Sequence, residues 1–524
     1  MNLLVIAPVG LPLLAATGYA LLGWNRVTAW LGSLAAAGVL GAALALARTG
    51  TGEALWGLLR VDALSAFMLI VIGVVALLAM LASPAYLAAE LATGHTGHRA
   101  ARRYGVFTQC FVAAMATAVL ASSLGVLWVA VEATTILTAF LVGHRRTRKA
   151  TEAAWKYVVI CSVGIALALF GLVIVHYAAV HAGLSSPAGL DWASLAGHAS
   201  ALDPGATRIA VVLLVLGFGT KAGLAPMHAW LPDAHSQAPA PVSALMSGVL
   251  LSVAFYAVLR VKVISDGALG PGFARMLLIV VALASLLVAA ALLVGQRDYK
   301  RLLAYSSIEH MGVIALGAAV GNALALAAVL LHMLGHGLGK SVLFIGAGHI
   351  QQASGTSDIG GVRGLARRAP VLAGVFGAGA LALLGFPPFS LFSSELGIAR
   401  AGFGAGLGWV VAVALALMLV VFAGIGGGVG RMLVGTAGGA PPGASSDISD
   451  MAASDGLLAP SDGASAVAAS GGSAVAASGG VGRRLRLRSV AVPLVAGLLA
   501  CAALGVTLGP LGHVLSAAAG VVAR

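Results

Sequence analysis

The stretch LGFGTKAGLAPMHAWLPDAHSQAPAPVSALM, residues 216–246, places one lysine, two histidines, one aspartate and four prolines among apolar side chains. Charge inside an apolar membrane segment is costly and is usually retained for function. Proline interrupts a helix, and the backbone groups that it frees need protein or water around them at membrane depth. The stretch therefore predicts an interrupted membrane helix that carries ionisable side chains.

The composition extends this prediction to the whole chain. Of 524 residues, 60% are hydrophobic and 9% are charged, which is typical of a polytopic membrane protein. The first apolar run follows no basic region and precedes no small-residue cleavage site, so we interpret it as a retained helix. The formal net charge is +13, and the basic residues lie mainly in short loops between apolar runs. The positive-inside rule explains this placement better than nucleic-acid binding does.

The cysteines give no sign of a redox centre. Cys110, Cys161 and Cys501 lie far apart in apolar segments, which argues against a disulfide framework, an iron–sulfur cluster or a structural zinc site. We therefore expect no cofactor and no metal in this chain.

Apolar runs of roughly 20 residues, the length that crosses a bilayer, predict an all-α membrane protein with about 14 transmembrane helices. These spans 1 to 14 cover residues 2–23, 29–47, 63–82, 104–121, 124–142, 153–177, 208–231, 239–261, 271–294, 303–320, 322–350, 369–402, 407–430 and 489–520. Loops after odd-numbered spans hold nineteen Lys and Arg, and the other side holds eight. The basic side is predicted to be cytoplasmic, with both termini on the opposite side of a plasma or inner membrane.

Two spans are interrupted by proline. Span 7 carries Lys221 near Pro226, and span 12 carries Pro387 and Pro388 before Glu395. Interrupted spans at corresponding positions indicate an inverted-repeat transporter with its site near the bilayer midplane. We therefore predict two inverted five-helix repeats, spans 4–8 and 9–13, with broken helices 7 and 12.

The predicted organisation has five parts. A group of three N-terminal helices precedes the two repeats. A Gly/Ser/Ala-rich segment with the near-repeat SAVAASGG is predicted to be a disordered cytoplasmic loop, and one C-terminal helix follows it. In order, these parts cover residues 1–100, 101–265, 266–434, 435–482 and 483–524.

Seven ionisable side chains fall inside or beside the spans and form the predicted ion-translocation site. His332, His336 and Lys340 follow one another at i+4 on span 11, so they share one helix face along which a proton could move. Histidine and desolvated lysine change charge at modest cost, which proton transfer requires. The full set is Glu132, Lys221, His228, His332, His336, Lys340 and Glu395.

Most of these residues also have a structural interpretation. The two lysines could extend toward the headgroups, and the group on span 11 could form an interhelical hydrogen-bond seam. Glu132 could be a counter-ion for a lysine on a neighbouring helix, which is compatible with a switchable pair. His228, Asp233 and His235 could suggest a metal site, but Pro232 interrupts their spacing.

Three motifs place the chain in a known family. TKAGLAPMHAWLPDAHSQAPAPVSALMSG, LLHMLGHGLGKSVLFIGAG and FPPFSLFSSE resemble the antiporter-like membrane subunits of respiratory complex I, Mrp-type sodium/proton antiporters and membrane-bound group 4 hydrogenases. The resemblance covers spans 4 to 13. The stretches EATTILTAFLVGHRRTRKATEAAWKYVVICSVGIALALFG and AYSSIEHMG are most similar to the hydrogenase-4 component F branch and its formate hydrogenlyase relatives.

The resemblance implies a role for six of the predicted residues. Glu132 and Lys221 would form an ion pair, the three residues of span 11 a relay, and Glu395 the exit-side group. The chain would then be a proton-translocating subunit without redox chemistry of its own. It would couple electron transfer elsewhere in a hydrogenase or complex I-like complex to ion movement. Its implied partners are other membrane subunits, a nickel–iron hydrogenase or NADH-oxidising peripheral arm, the lipid bilayer and protons.

One departure from the family keeps two alternatives open. Many relatives place a lysine or histidine on span 8, whereas this chain offers Ser243, Ser247, Ser252 and Tyr256 there. A subunit of an Mrp-type sodium/proton antiporter is one alternative. A structural membrane scaffold with an idle channel is the other.

Overall fold

The computed structural model describes residues 2–185, 188–435 and 479–523, with the main chain alone at 479–490. The loop predicted at 435–482 lies almost entirely outside the described residues. Among those residues, twelve helices are long and apolar enough to cross a membrane, or up to fourteen if each of two bent helix pairs is one span. The prediction of an all-α, multi-pass membrane protein with about 14 spans is therefore confirmed.

The described chain forms twenty α-helices and one small antiparallel hairpin, which the sequence did not predict. The hairpin consists of β1 (Gly52–Ala54) and β2 (Leu59–Val61). The helices are α1 (Asn2–Leu22), α2 (Leu31–Thr49), α3 (Ala63–Ala92), α4 (His98–Leu120), α5 (Leu124–Val142), α6 (Arg148–His181), α7 (Trp192–Gly197), α8 (Pro204–Lys221), α9 (Trp230–Gln237), α10 (Ala240–Leu245), α11 (Leu251–Leu269), α12 (Pro271–Leu293), α13 (Tyr299–Val320), α14 (Ala323–Ser354), α15 (Leu365–Arg368), α16 (Pro370–Leu383), α17 (Ser390–Gly404), α18 (Gly408–Val434), α19 (Gly479–Val506) and α20 (Leu511–Val522).

Local sequence signals fix the ends of the helices that carry the site. Asp203 caps α8 by accepting a hydrogen bond from Ala206 N at 2.6 Å, and Pro204 begins the helix. Asn322 caps α14 through Ala325 N at 2.9 Å, and Gly355 ends it at φ 75°. These caps set the register of the two helices, and hence the depth of their buried lysines.

The chain leaves helical geometry twice in the regions of spans 7 and 12. The first interval, 222–229, separates α8 from α9, and the second, 384–389, separates α16 from α17. A π-helical turn, Met246–Leu250, also lies between α10 and α11. The inverted repeats and the domain boundaries remain predictions; α11 continues to Leu269, beyond the boundary proposed at residue 265.

The C-terminal part differs from the single helix predicted at 483–524. The segments Ala491–Val506 and Leu511–Val522 are bent by 74° relative to each other. Gly509 lies between them at φ 45°, and Pro510, which has no N–H, follows it. Because the apolar run continues through this Gly–Pro pair, hydropathy alone did not reveal the bend.

The core of the bundle lies on the segment Ala240–Leu269 and on α14. In the most apolar 18-residue part of each of these two stretches, 100% of the residues are buried. In the corresponding part of α18, 28% are buried. Helices α3 and α13 pack beside α14. Polar side chains on α13 and α14 are therefore surrounded by protein rather than by lipid.

Candidate functional site

Lys221 is the last residue of α8, and its side-chain ammonium lies among hydroxyl groups from α5 and α6. The side chain is fully buried. Its Nζ donates hydrogen bonds to Thr135 Oγ1 at 2.8 Å and to the Tyr157 hydroxyl, and it lies 4.7 Å from the Tyr157 ring centroid. The Tyr157 hydroxyl also contacts Thr138 Oγ1 at 2.5 Å. Neutral oxygens therefore replace the water that this ammonium gives up.

The structure does not bring Glu132 and Lys221 into a direct ion pair, and their pairing stays a prediction. In the described part of the chain, the Lys221 Nζ is bound by Thr135 and Tyr157 rather than by Glu132. Glu132 lies one helical turn before Thr135 on α5. Its Oε2 is buried and has no hydrogen-bond partner among the described residues. The carboxylate thus lies beside the hydroxyl group that binds the lysine.

The polar residues of the opening stretch do not form the metal site considered as an alternative. Asp233 is bound by Lys156 at 3.2 Å and by Arg301. His228 is half-buried in the interval after α8. His235 is fully buried, and its ring stacks on Phe344 of α14 with centroids 4.8 Å apart. Since the aspartate is neutralised by cations, the two histidines lack a shared carboxylate.

The predicted group on α14 is fully buried and faces α13. Lys340 Nζ donates to Leu303 O at 2.7 Å and to Ser306 Oγ at 2.5 Å, both on α13. The His336 ring lies 5.1 Å from the ring of His310, also on α13. The i+4 spacing therefore brings the histidines and the lysine against one neighbouring helix.

His332 connects α14 to two other helices. Its Nε2 lies 3.1 Å from His310 Nδ1, and its Nδ1 lies 2.9 Å from Ser394 Oγ on α17. One ring thus joins α13, α14 and α17 through polar contacts. This junction is a point at which a proton can pass between helices.

Glu395 is not the partner of Lys340, whose Nζ is bound by α13 oxygens. Glu395 and Glu309 instead line one cavity of about 190 Å³ between α13, α16, α17 and α18. Ligand atoms of His310, His332 and Glu395 lie within 4.8 Å of one another. The Glu395 carboxylate therefore adjoins histidines and a second carboxylate.

Glu309 and His310 are buried ionisable residues that the sequence did not predict as part of the site. Both are buried on α13, at 4% and 1% exposure. Their signal was present in the motif SSIEHMG, since an ionisable pair inside an apolar span is a functional indication on its own. The hydroxyls of Thr135 and Tyr157 carried no such signal, because single hydroxyl side chains are tolerated in many membrane helices.

Span 8, which has no lysine or histidine, contributes hydroxyl groups instead. Ser247 Oγ lies 2.7 Å from Ser307 Oγ on α13. Tyr256 donates to Val119 O at 2.9 Å. Ser252 Oγ is buried and has no partner within the described ranges. A proton crossing this region would depend on hydroxyls, on the neighbouring His235 or on water.

A buried row of lysine, histidine and carboxylate side chains inside an apolar helical bundle defines the chain as a membrane protein of the ion-translocating class. The particular family follows from comparison. Residues 121–422 match the family described as NADH:quinone oxidoreductase/Mrp antiporter, TM, and the chain belongs to this family.

Relatives in this family include components of several complexes. The hydrogenase-4 component F homolog of Methylacidiphilum infernorum (isolate V4) is 39% identical over 343 residues, which cover 66% of this chain and 72% of that protein. NADH-quinone oxidoreductase subunit N of Desulforudis audaxviator (strain MP104C) is 38% identical over 49% of this chain and 50% of its own length. A chain in the structure of the Mrp complex from Dietzia sp. DQ12-45-1b has the same fold, with a TM-score of 0.79 at 22% identity, over 100% of this chain and 98% of that one.

Proposed function

We propose that this chain is a proton-translocating subunit in the membrane arm of a membrane-bound hydrogenase or complex I-like redox complex. It couples electron transfer elsewhere in the complex to ion movement. The observation that carries this proposal is the environment of Lys221, a buried ammonium held by two neutral hydroxyls. A hydroxyl can accept from a charged lysine or donate to a neutral one, so both protonation states can be satisfied.

Glu132 supplies the switch in this mechanism. Its carboxylate lies one turn from Thr135 and leaves an oxygen unpaired among the described residues. A shift of α5 toward α8 would bring carboxylate and ammonium together and favour the charged lysine, and the opposite shift would release the proton. A conformational change in a neighbouring subunit is the proposed cause of the shift.

The proposed route runs from Lys221 along α14 toward α17. His228, at the interval after α8, is the proposed group on the entrance side. His336 and Lys340 follow, and His235 lies beside them through its contact with Phe344, one turn from Lys340. His332 then passes the proton to Glu395 by way of the Ser394 contact. Water is the proposed bridge where side chains do not touch.

The proposed setting is the plasma or inner membrane, with the more basic loops in the cytoplasm. Membrane subunits of the same complex are the expected partners, since the relatives are components of hydrogenase-4, NADH-quinone oxidoreductase and Mrp complexes. A nickel–iron hydrogenase or NADH-oxidising peripheral arm is the proposed source of energy, supported by the similarity to hydrogenase-4 component F homolog.

The test is Lys221→Ala in the assembled complex reconstituted into liposomes. Because alanine cannot carry a proton at this position, we expect proton pumping per turnover to fall at least about 10-fold, which corresponds to about 1.4 kcal/mol in the transfer barrier. Lys149→Ala is the matched control, because Lys149 is exposed at the start of α6. Normal pumping by the Lys221 variant would instead favour the scaffold alternative. Transport that requires sodium and survives a protonophore would favour the Mrp-type alternative.

A further inference from the structure

Two imidazole nitrogens face each other in the core at the junction of α13 and α14. His310 Nδ1 and His332 Nε2 are 3.1 Å apart, and both side chains are almost fully buried. A neutral imidazole has one N–H donor and one lone pair. Two facing nitrogens are therefore joined either by one shared proton or by a cation that both lone pairs bind.

We propose that His310, His332 and Glu395 form a binding site for a divalent transition-metal ion of the zinc class. Their ligand atoms lie within 4.8 Å of one another. Zn–N bonds of about 2.0–2.1 Å in a tetrahedral site place adjacent nitrogens about 3.3 Å apart. The 3.1 Å separation of the two histidine nitrogens is close to this value.

One outer nitrogen has a hydrogen-bond partner, and the other lies near a carboxylate. His332 Nδ1 contacts Ser394 Oγ at 2.9 Å, whereas His310 Nε2 lies 3.5 Å from Glu309 Oε2 and makes no hydrogen bond among the described residues. Metal-binding histidines usually donate their other N–H to a carboxylate, carbonyl or water, which fixes the tautomer. With protons on these outer nitrogens, both lone pairs point at the space between His310 and His332.

Charge and space also fit a divalent cation. Glu395 and Glu309 line the same cavity of about 190 Å³, so two carboxylates balance the two positive charges of the ion. An uncompensated charge in such a site would be strongly unfavourable. The cavity reaches the site at Glu395, and its volume exceeds the roughly 10–15 Å³ that a site for one water needs. A fourth, water ligand can therefore complete the coordination.

Occupation of this site has a functional consequence. The metal would use the lone pairs through which His310 and His332 exchange protons, so bound Zn²⁺ would block the α14-to-α17 part of the proposed route. Metal binding itself does not depend on proton translocation by this chain. It can be measured on protein that transports nothing.

The experiment measures Zn²⁺ binding to the purified full-length chain by equilibrium dialysis and elemental analysis. We expect one Zn²⁺ per wild-type chain and loss of this ion in His332→Ala. Ser394→Ala removes an outer partner and should weaken binding about 10- to 100-fold. His513→Ala is the matched control, because His513 is exposed on α20, and it should bind as the wild type does.

X-ray absorption of the wild-type zinc complex keeps the test decisive if a variant fails to fold. Two imidazole ligands and at least one oxygen are expected. Fewer than two imidazoles, or equal zinc binding by wild type, folded His332→Gln and folded Glu395→Gln, would overturn the proposal. Zinc binding with normal transport by Lys221→Ala would leave the metal site standing and remove the proposed function.

Discussion

At the scale of single residues, buried cations in this chain have two kinds of environment. Arg260 is paired with Asp62 at 2.8 Å and lies 3.8 Å from the centroid of the Trp192 ring. Lys221 and Lys340 are bound by hydroxyl and carbonyl oxygens instead. A carboxylate and an aromatic ring hold arginine permanently charged. The arginine is therefore structural, whereas the lysines remain free to change charge.

Asp62→Asn tests the structural role. It would leave the buried Arg260 charge uncompensated, so we expect a loss of about 3–5 kcal/mol of stability and a lower melting temperature. Glu53→Gln is the control, because Glu53 is 54% exposed in its pair with Arg60, and exposed pairs contribute about 0–1 kcal/mol. Equal melting temperatures for the two variants would show that Arg260 is satisfied without Asp62.

The pair also predicts a pH dependence. Burial opposes ionisation of Asp62, but attraction and hydrogen bonding from Arg260 lower its pKa below the usual value. A carboxyl whose pKa is lowered in the folded state stabilises the fold above its unfolded pKa of about 3.9. This contribution should be constant between about pH 5 and 8 and decline as acid titrates the folded form. The measurement is the difference in melting temperature between the wild type and Asp62→Asn as a function of pH. A difference that grows on acidification would contradict this pH dependence.

Glu395→Gln tests the exit-side role. Glutamine keeps the size and hydrogen bonding of the side chain but removes the charge change. Because Lys340 is bound by oxygens of α13, the substitution leaves no lysine without a hydrogen-bond partner. We therefore expect a near-normal melting temperature and poor proton uptake by the assembled complex. Glu152→Gln, on the exposed side of α6, is the control. A destabilised complex that pumps normally per assembled unit would show a structural counter-ion instead.

These residues also show what the sequence could predict. Lys221, His336 and Lys340 were identified because charge is rare in apolar spans, and the structure buries all three. Their partners were not identified, because Thr135 and Ser306 are ordinary hydroxyl residues that distant helices bring into contact. Hydropathy predicts which groups lie in the membrane. It does not predict which helix faces them.

At the scale of elements, α14 and the π-helical turn Met246–Leu250 approach unusually closely. A Cβ added at Gly337 would lie 2.8 Å from Gly248 O, and one at Gly248 would lie 3.0 Å from Gly337 O. Two glycines therefore permit the contact. This contact lies next to His336. It therefore holds the hydroxyl side chains of span 8 beside the proposed proton route along α14. A π-helical turn within a helix often marks a functional site.

Gly337→Ala tests this contact. Alanine gains about 0.5–1 kcal/mol over glycine in a helix interior, whereas overpacking costs about 1–3 kcal/mol. The nearest atom is backbone, which cannot rotate away, so the clash should win and the melting temperature should fall. For Gly339 on the same helix, no described atom lies within 4 Å of an added Cβ. Gly339→Ala should therefore be neutral or stabilising. Equal effects of the two substitutions would exclude a tight contact.

Helix ends and bends differ in how well the sequence predicts them. Prolines between Lys221 and Trp230, and between Leu383 and Ser390, indicated where helices would be interrupted. The Gly509–Pro510 bend lay within a run that hydropathy joined into one span. Apolar length reports the thickness of the bilayer, but the direction of a helix after a break depends on packing against its neighbours.

At the scale of the whole molecule, charge distribution determines the predicted orientation. Nineteen Lys and Arg follow odd-numbered spans, against eight on the other side. Short loops rich in Lys and Arg stay in the cytoplasm. The loop between α1 and α2 should therefore be cytoplasmic, and the β1–β2 hairpin after α2 should lie outside.

Single-cysteine labelling of intact cells with a membrane-impermeant thiol reagent tests this orientation. Val27 is 81% exposed in the first loop, and Thr51 is exposed beside β1. Thr51→Cys should react in intact cells, whereas Val27→Cys should react after the membrane is opened. Each variant is made in a chain whose Cys110, Cys161 and Cys501 are replaced by serine or alanine, and that parent should stay unlabelled. The reverse pattern would place the basic loops outside. A peripheral redox arm in the cytoplasm would then face the side with eight Lys and Arg. The proposed direction from Lys221 to Glu395 would have to be reassigned relative to the membrane.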